Sequence, residues 1–135
     1  MNKNLGTTLP TEVTTPLAPA PAGPYSQALR VGDLISLAGQ TPRQPDGRRL
    51  LDEPLDVQVR RTMDNLEAVA SAAGASLRDA VKVNVYLRPE ADVEVFNSVY
   101  RDYVSAPLPA RTTTISLLPG GLVEVDAMLW SPQVN

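Results

Sequence analysis

The sequence predicts an α+β domain: a mixed β-sheet with two helices packed on one face. Three observations carry that reading. Ala80–Leu87 alternates apolar and polar residues, the period of a strand with one buried face. Leu55, Val59, Met63, Leu66, Ala70 and Ala73 recur at spacings of four, four, three, four and three, a single helical stripe. The candidate elements then follow the order β-β-α-β-α-β-β, whose crossovers place both helices on the same face of the sheet.

Residues 1–20 hold Pro10, Pro16 and Pro19 among Thr and Ala with no apolar period, and are expected to form a flexible Pro-rich tail. A single domain is expected over residues 21–135. It opens at the Gly23-Pro24 turn. Ala28–Val31 and Leu34–Gln40 read as a hairpin closed at Gly32-Asp33. Gly39 marks either a bulge or a place where a ligand nears the backbone. Pro42 to Arg49 is a polar loop around Pro45-Asp46-Gly47. The long helix runs from about Asp52 to Ala73, with Gln58, Arg60, Arg61, Asp64 and Glu67 on its polar side and Gly74 as its stop.

In the next strand Val81, Val83, Val85 and Leu87 face the core, and Lys82, Asn84 and Tyr86 face away. Asp92 is placed to cap a second helix reaching about Val104, with Phe96, Val99 and Tyr103 as its stripe. Two Thr-, Val- and Leu-rich strands close the chain, joined by Pro119-Gly120-Gly121. The outward sheet face would carry Lys82, Asn84, Tyr86, Glu124, Asp126 and Met128. A half-polar face this broad on a small chain predicts cover by further copies around a symmetry axis.

Composition removes whole classes of chemistry. With no Cys and no His, thiol nucleophiles, Ser-His-Asp triads and His/Cys metal sites are excluded. The formal net charge is −3, and the ten arginines are scattered without a basic run, so no nucleic-acid partner is expected. No segment approaches a membrane span, and the first residues lack the apolar core of a leader, so a cytoplasmic protein is expected.

Two charges stand inside strand patterns. Arg111 opens the first of the last two strands and Glu124 sits in the second. A charge buried there needs a partner or a ligand. The pair is read either as a mutual ion pair across neighbouring strands or as a site.

Several pieces of the chain carry a family resemblance, in order: Ala22-Gly23-Pro24-Tyr25-Ser26-Gln27-Ala28, Leu37-Ala38-Gly39-Gln40, Asp64-Asn65-Leu66-Glu67-Ala68-Val69, Val81–Leu87, Phe96-Asn97-Ser98-Val99-Tyr100, Pro109-Ala110-Arg111 and Leu122–Ala127. Together they resemble the reactive-intermediate deaminase family, long labelled endoribonuclease L-PSP. The resemblance implies a chorismate-mutase-like α+β fold and a homotrimer with a site in each cleft between subunits. It implies hydrolysis of enamine and imine intermediates, such as 2-iminopropionate from 2-aminoacrylate, to 2-keto acids and ammonia, without a cofactor or metal. By motif position, Arg111 would bind the substrate carboxylate and Glu124 would position the attacking water. Tyr25, Gly39 and Asn97 would line the pocket, and the backbone amide of Thr113 would face the ligand. The chain departs from the family pattern at Thr112, at Asp126 and in a shortened Arg111–Pro119 segment, which bears on substrate range. The alternatives are a non-catalytic trimer that binds small carboxylates or partners, and an endoribonuclease. Against the second stands the lack of a basic groove.

Overall fold

The structure is a computed structural model and describes residues 9–133. Six strands form one sheet: β1 (Thr11–Val13), β2 (Ala28–Val31), β3 (Leu34–Gln40), β4 (Ala80–Leu87), β5 (Ala110–Ile115) and β6 (Val123–Trp130). Two α-helices, α1 (Leu55–Ala72) and α2 (Val93–Tyr100), complete the layers. The strand order is β1-β2-β3-β6-β4-β5. All neighbours are antiparallel except β4 and β5, which are parallel and joined through α2.

Alternation decides the faces. Val83, Val85 and Leu87 of β4, Val123, Val125, Ala127 and Leu129 of β6, and Ile35 and Leu37 of β3 are buried in one core with Val59, Met63, Leu66, Val69, Phe96 and Val99 of the helices. Each large side chain buried there stabilises the fold by roughly 1.5–3 kcal/mol. The opposite face is the expected polar one. Asn84 Nδ2 donates to Asp126 at 2.8 Å, and Tyr86 Oη donates to the same carboxylate at 3.3 Å. Among the described residues no helix is long and apolar enough to cross a membrane.

Five expectations are corrected. The flexible segment expected over residues 1–20 is strand and core where it is described. Thr11–Val13 pairs with β2, and Val13 and Ala18 are buried. The stretch after that strand is held by Gln27, a buried amide whose Oε1 accepts from Thr15 N at 2.7 Å. Its Nε2 donates to the carbonyls of Thr15 at 3.1 Å and Pro19 at 2.9 Å. Residues 1–8 of that expectation lie outside the described residues.

Second, the last two strands are not neighbours: β4 lies between β5 and β6. Residues 116–122 therefore bridge across β4, and Arg88 Nη1 holds that bridge through Leu118 O at 2.6 Å. Third, Gln58 is fully buried rather than on a solvated helix face. Its Oε1 accepts from Leu122 N at 2.9 Å and its Nε2 donates to Glu53 O at 2.8 Å, so α1 holds the loop that leads into β6.

Fourth, Val81 is exposed, because the β4–β6 register shifts between Ala80 and Lys82 and turns it out of the core. Fifth, α2 ends at Tyr100. Asp92 caps it as expected, accepting from Glu94 N at 2.8 Å, and Tyr100 replaces Tyr103 on the fully buried stripe.

Candidate functional site

The residues singled out by sequence fall into two separate places. In the register, Arg111 pairs with Val83 and Glu124 with Tyr86, on either side of β4. Two strand spacings and three residues of rise put them about 10 Å apart across the sheet and about 10 Å apart along it. They also point to opposite faces, because Val83 is buried under the helices whereas Tyr86 lies on the open face. The mutual ion pair is therefore excluded. Among the described residues the ion pairs are Arg60–Asp102 and Arg88–Glu90.

Glu124 lies against a cavity of about 220 Å³ lined by Tyr25, Gly39, Arg43, Arg49 and Gly120, among others. Its floor is a bulge: the β3–β6 register shifts between Leu37 and Gln40. Ala38 N turns to donate to Gln27 O at 2.9 Å. Gly39 is required by proximity, since an added Cβ would overlap Glu124 Oε2 and come within 3.2 Å of its Cδ. Tyr25 stands at the mouth, half-exposed, and its hydroxyl accepts from Ala22 N at 3.0 Å. Burial pushes the Glu124 carboxyl above the ordinary carboxylate range, and the charge of Asp126 adds to the rise. Among the described residues no cation forms an ion pair with Glu124. A half-buried carboxylate of raised proton affinity beside open space suits a general base.

Arg111 lies in a second groove, lined by Asn97, Tyr100, Arg101, Val104, Leu108 and Arg111 itself. Its guanidinium stacks over two rings of α2, 5.4 Å from the centre of Phe96 and 5.0 Å from that of Tyr100. Stacking fixes the plane of the fork and leaves its N–H edge for a carboxylate. Two buried atoms beside it, Asn97 Oδ1 and the Tyr100 hydroxyl, have no hydrogen-bond partner. Asn97 Nδ2 is occupied by Glu94 at 3.2 Å. Unpaired buried polar atoms around a cation mark a place where something else binds.

Thr113 is exposed on β5, the edge of the sheet. Ser116 N donates to Leu87 O at 2.8 Å, and alternation then turns the Arg111 and Thr113 amides outward, away from β4. An outward amide next to Arg111 is a free donor for an anion.

Sequence reasoning missed Tyr100, whose signal was its spacing of four from Phe96 on one helical face. It also missed Arg43 and Arg49. These bracket the Pro45-Asp46-Gly47 turn and pair across it as an isolated bridge. Nothing in that spacing alone said that the loop folds over Glu124.

Comparison with known proteins follows the geometry. The family model described as Endoribonuclease L-PSP matches residues 15–129. A RutC family protein of Pyrococcus abyssi is 40% identical over 120 residues, 87% of this chain and 94% of that protein. A protein of Dermatophagoides farinae named 2-iminobutanoate/2-iminopropanoate deaminase is 35% identical over 119 residues, 87% of this chain and 93% of that protein. The crystal structure of RidA from an Antarctic Psychrobacter superposes with a TM-score of 0.82 at 36% identity, covering 89% of this chain and 98% of the other.

Proposed function

We propose that this chain, which belongs to the endoribonuclease L-PSP family, is a deaminase that hydrolyses 2-imino acids to 2-keto acids and ammonia. The observation that carries this reading is the pair of half-sites: a half-buried carboxylate of raised proton affinity in one cavity and a pre-oriented arginine in another, without an ion pair among the described residues. The imine deaminase name of the Dermatophagoides relative supports it.

An imine carbon is already electrophilic, so the site has three tasks. Arg111, with the Thr113 amide and the Tyr100 hydroxyl, binds the substrate carboxylate through its planar fork. Glu124 takes a proton from the attacking water as the oxygen–carbon bond forms and the C=N electrons move to nitrogen. It returns a proton to that nitrogen, giving a carbinolamine. The hydroxyl proton then follows to nitrogen, the carbon–nitrogen bond breaks, and the carbonyl forms. The products are a 2-keto acid and ammonia, and no step calls for a cofactor.

Within one chain the two half-sites are too far apart, and on opposite faces, to hold one small substrate. We therefore propose a homotrimer in which the Arg111 groove of one copy meets the Glu124 cavity of the next. Unlike patches meeting head to tail close into a ring. The half-polar sheet face and the β5 edge, with Ile115 exposed at its end and Leu117 just after it, supply surface for such contacts.

The test uses imines generated from amino acids by an oxidase, with keto-acid formation followed against the spontaneous rate. The chain is expected to accelerate it, and Arg111→Ala and Glu124→Gln are each expected to abolish the acceleration. Oligomers co-assembled from the two inactive variants are expected to regain activity, because some clefts receive both native residues. A monomer in solution, or mixed oligomers as inactive as their parents, would remove the shared site.

A further inference from the structure

Arg49 has no role in the reaction as described, yet it lines the same cavity as Glu124. Its hairpin is held firmly. Asn65, buried on α1, donates through Nδ2 to Arg43 O at 2.7 Å and Thr41 O at 3.3 Å, and Gln44 N donates to Arg48 O at 2.8 Å. Arg43 Nη2 is spent on Ala20 O at 2.6 Å and so ties the hairpin to the N-terminal wall. Among the described residues, the Arg49 side chain is anchored by one long bond, from Nη1 to Thr41 Oγ1 at 3.3 Å. It crosses Gly120 so closely that a Cβ there would sit 2.6 Å from Nη1. Glycine at 120 thus lets the guanidinium lie over the cavity rim.

Among the described residues neither Arg43 nor Arg49 forms an ion pair. Glu124, in the same cavity, is not their partner: the influences on its proton affinity are burial and Asp126, with no arginine among them. The chain as a whole is acidic, so a cation set at a cavity rim without an acid is not a by-product of a basic surface.

We propose that Arg49 reads a second anionic group, so that the preferred substrates are imino acids with a carboxylate on the side chain. Its chemistry rests on the deaminase reading above, while the anion site itself stands on the cavity geometry. A substrate anchored by its first carboxylate at Arg111 and attacked beside Glu124 would extend its side chain toward the Arg49 rim.

The experiment is calorimetric titration of the full chain with 2-oxoglutarate and with 2-oxohexanoate, which has similar reach but one charge fewer. One charge-assisted contact predicts about tenfold tighter binding of 2-oxoglutarate. The preference should shrink as salt is raised, because Arg49 is exposed. Arg49→Gln should remove the preference and Arg49→Lys should keep part of it. Equal affinity for the two acids, an unchanged ratio in Arg49→Gln, or no binding of either would overturn the proposal. Oxidase-generated imines of glutamate and norleucine separate the two readings. Preference in the titrations with neither imine hydrolysed above background sinks the deaminase reading and leaves the anion site. Both imines hydrolysed with a ratio that Arg49→Gln does not change sinks the anion site and leaves the deaminase.

Discussion

The cavity of Glu124 and the groove of Arg111 are built in different ways. The first is walled by three stretches of chain, residues 19–27, 39–49 and 119–124, each tied down by a buried amide. Gln27 holds the N-terminal wall, Asn65 holds the arginine hairpin, and Gln58 holds the loop into β6. The second is formed by one short helix, residues 101–108 after it and the edge strand; Asn97 Oδ1 and the Tyr100 hydroxyl are unpaired there, as Arg43 Nε is in the first. The first is therefore pre-organised by its own chain and holds a tuned proton acceptor. Among the described residues the second has no such buried amide; its arginine is oriented by stacking on α2 alone.

The largest expected effects test whether these are one site. Glu124→Gln removes the base and should cost roughly 10²–10⁴-fold in kcat. Arg111→Ala should cost a comparable factor, seen mainly in kcat/KM, and Arg111→Lys should recover little because a point charge cannot replace the fork. The melting temperature should separate function from structure. Arg111→Ala loses only stacking, about 0.5–1 kcal/mol. Early melting in that variant would make Arg111 a structural residue.

Gln27→Ala tests the pre-organised wall. It strands the groups of Thr15 and Pro19 and should cost about 2–4 kcal/mol of stability. Unchanged denaturant unfolding would show that the wall does not depend on it. Gly39→Ala should do the reverse. The overlapping atoms belong to the end of a flexible side chain, so Glu124 swings aside at small cost in stability while kcat falls by about tenfold or more. A fully active Gly39→Ala would break the link between the bulge and the base.

The smallest effect concerns pH. Glu124 must be ionised to act, so the rate should rise with pH along a limb set above the ordinary carboxylate value. Asp126→Asn removes the secondary cause of that rise and should move the limb to lower pH without abolishing it, since burial remains. The stability sign follows from the same shift. Folding raises this acid's proton affinity, so its contribution is most favourable below the ordinary carboxylate value and is lost as pH climbs through the raised one. Glu124→Gln should therefore flatten stability across that window. A rate profile without an acid limb would exclude Glu124 as the base.

Much of this molecule was determined by sequence alone. The strands Ala28–Val31, Leu34–Gln40 and Ala80–Leu87 follow from period and turn chemistry, because alternation and glycine placement are local physics. The cap at Asp92 and the bulge near Gly39 were likewise readable, and so was the oddity of Arg111 and Glu124 as charges within strand patterns. Tertiary structure decided what no local window contains. It inserted β4 between the last two strands, and the register on each side of β4, Arg111 beside Val83 and Glu124 beside Tyr86, put the two charges on opposite faces. It drew Thr11–Val13 into the sheet although the segment has no apolar period, because β2 pairs its backbone and Gln27 satisfies that of Thr15 and Pro19 just after it. It buried Gln58, which reads as part of the polar side of α1, and Asn65, and their amides close loops distant in sequence. Local propensity sees neither strand order nor which loop a helix will meet, and long-range pairing is what carried Arg43 and Arg49 to the cavity that holds Glu124.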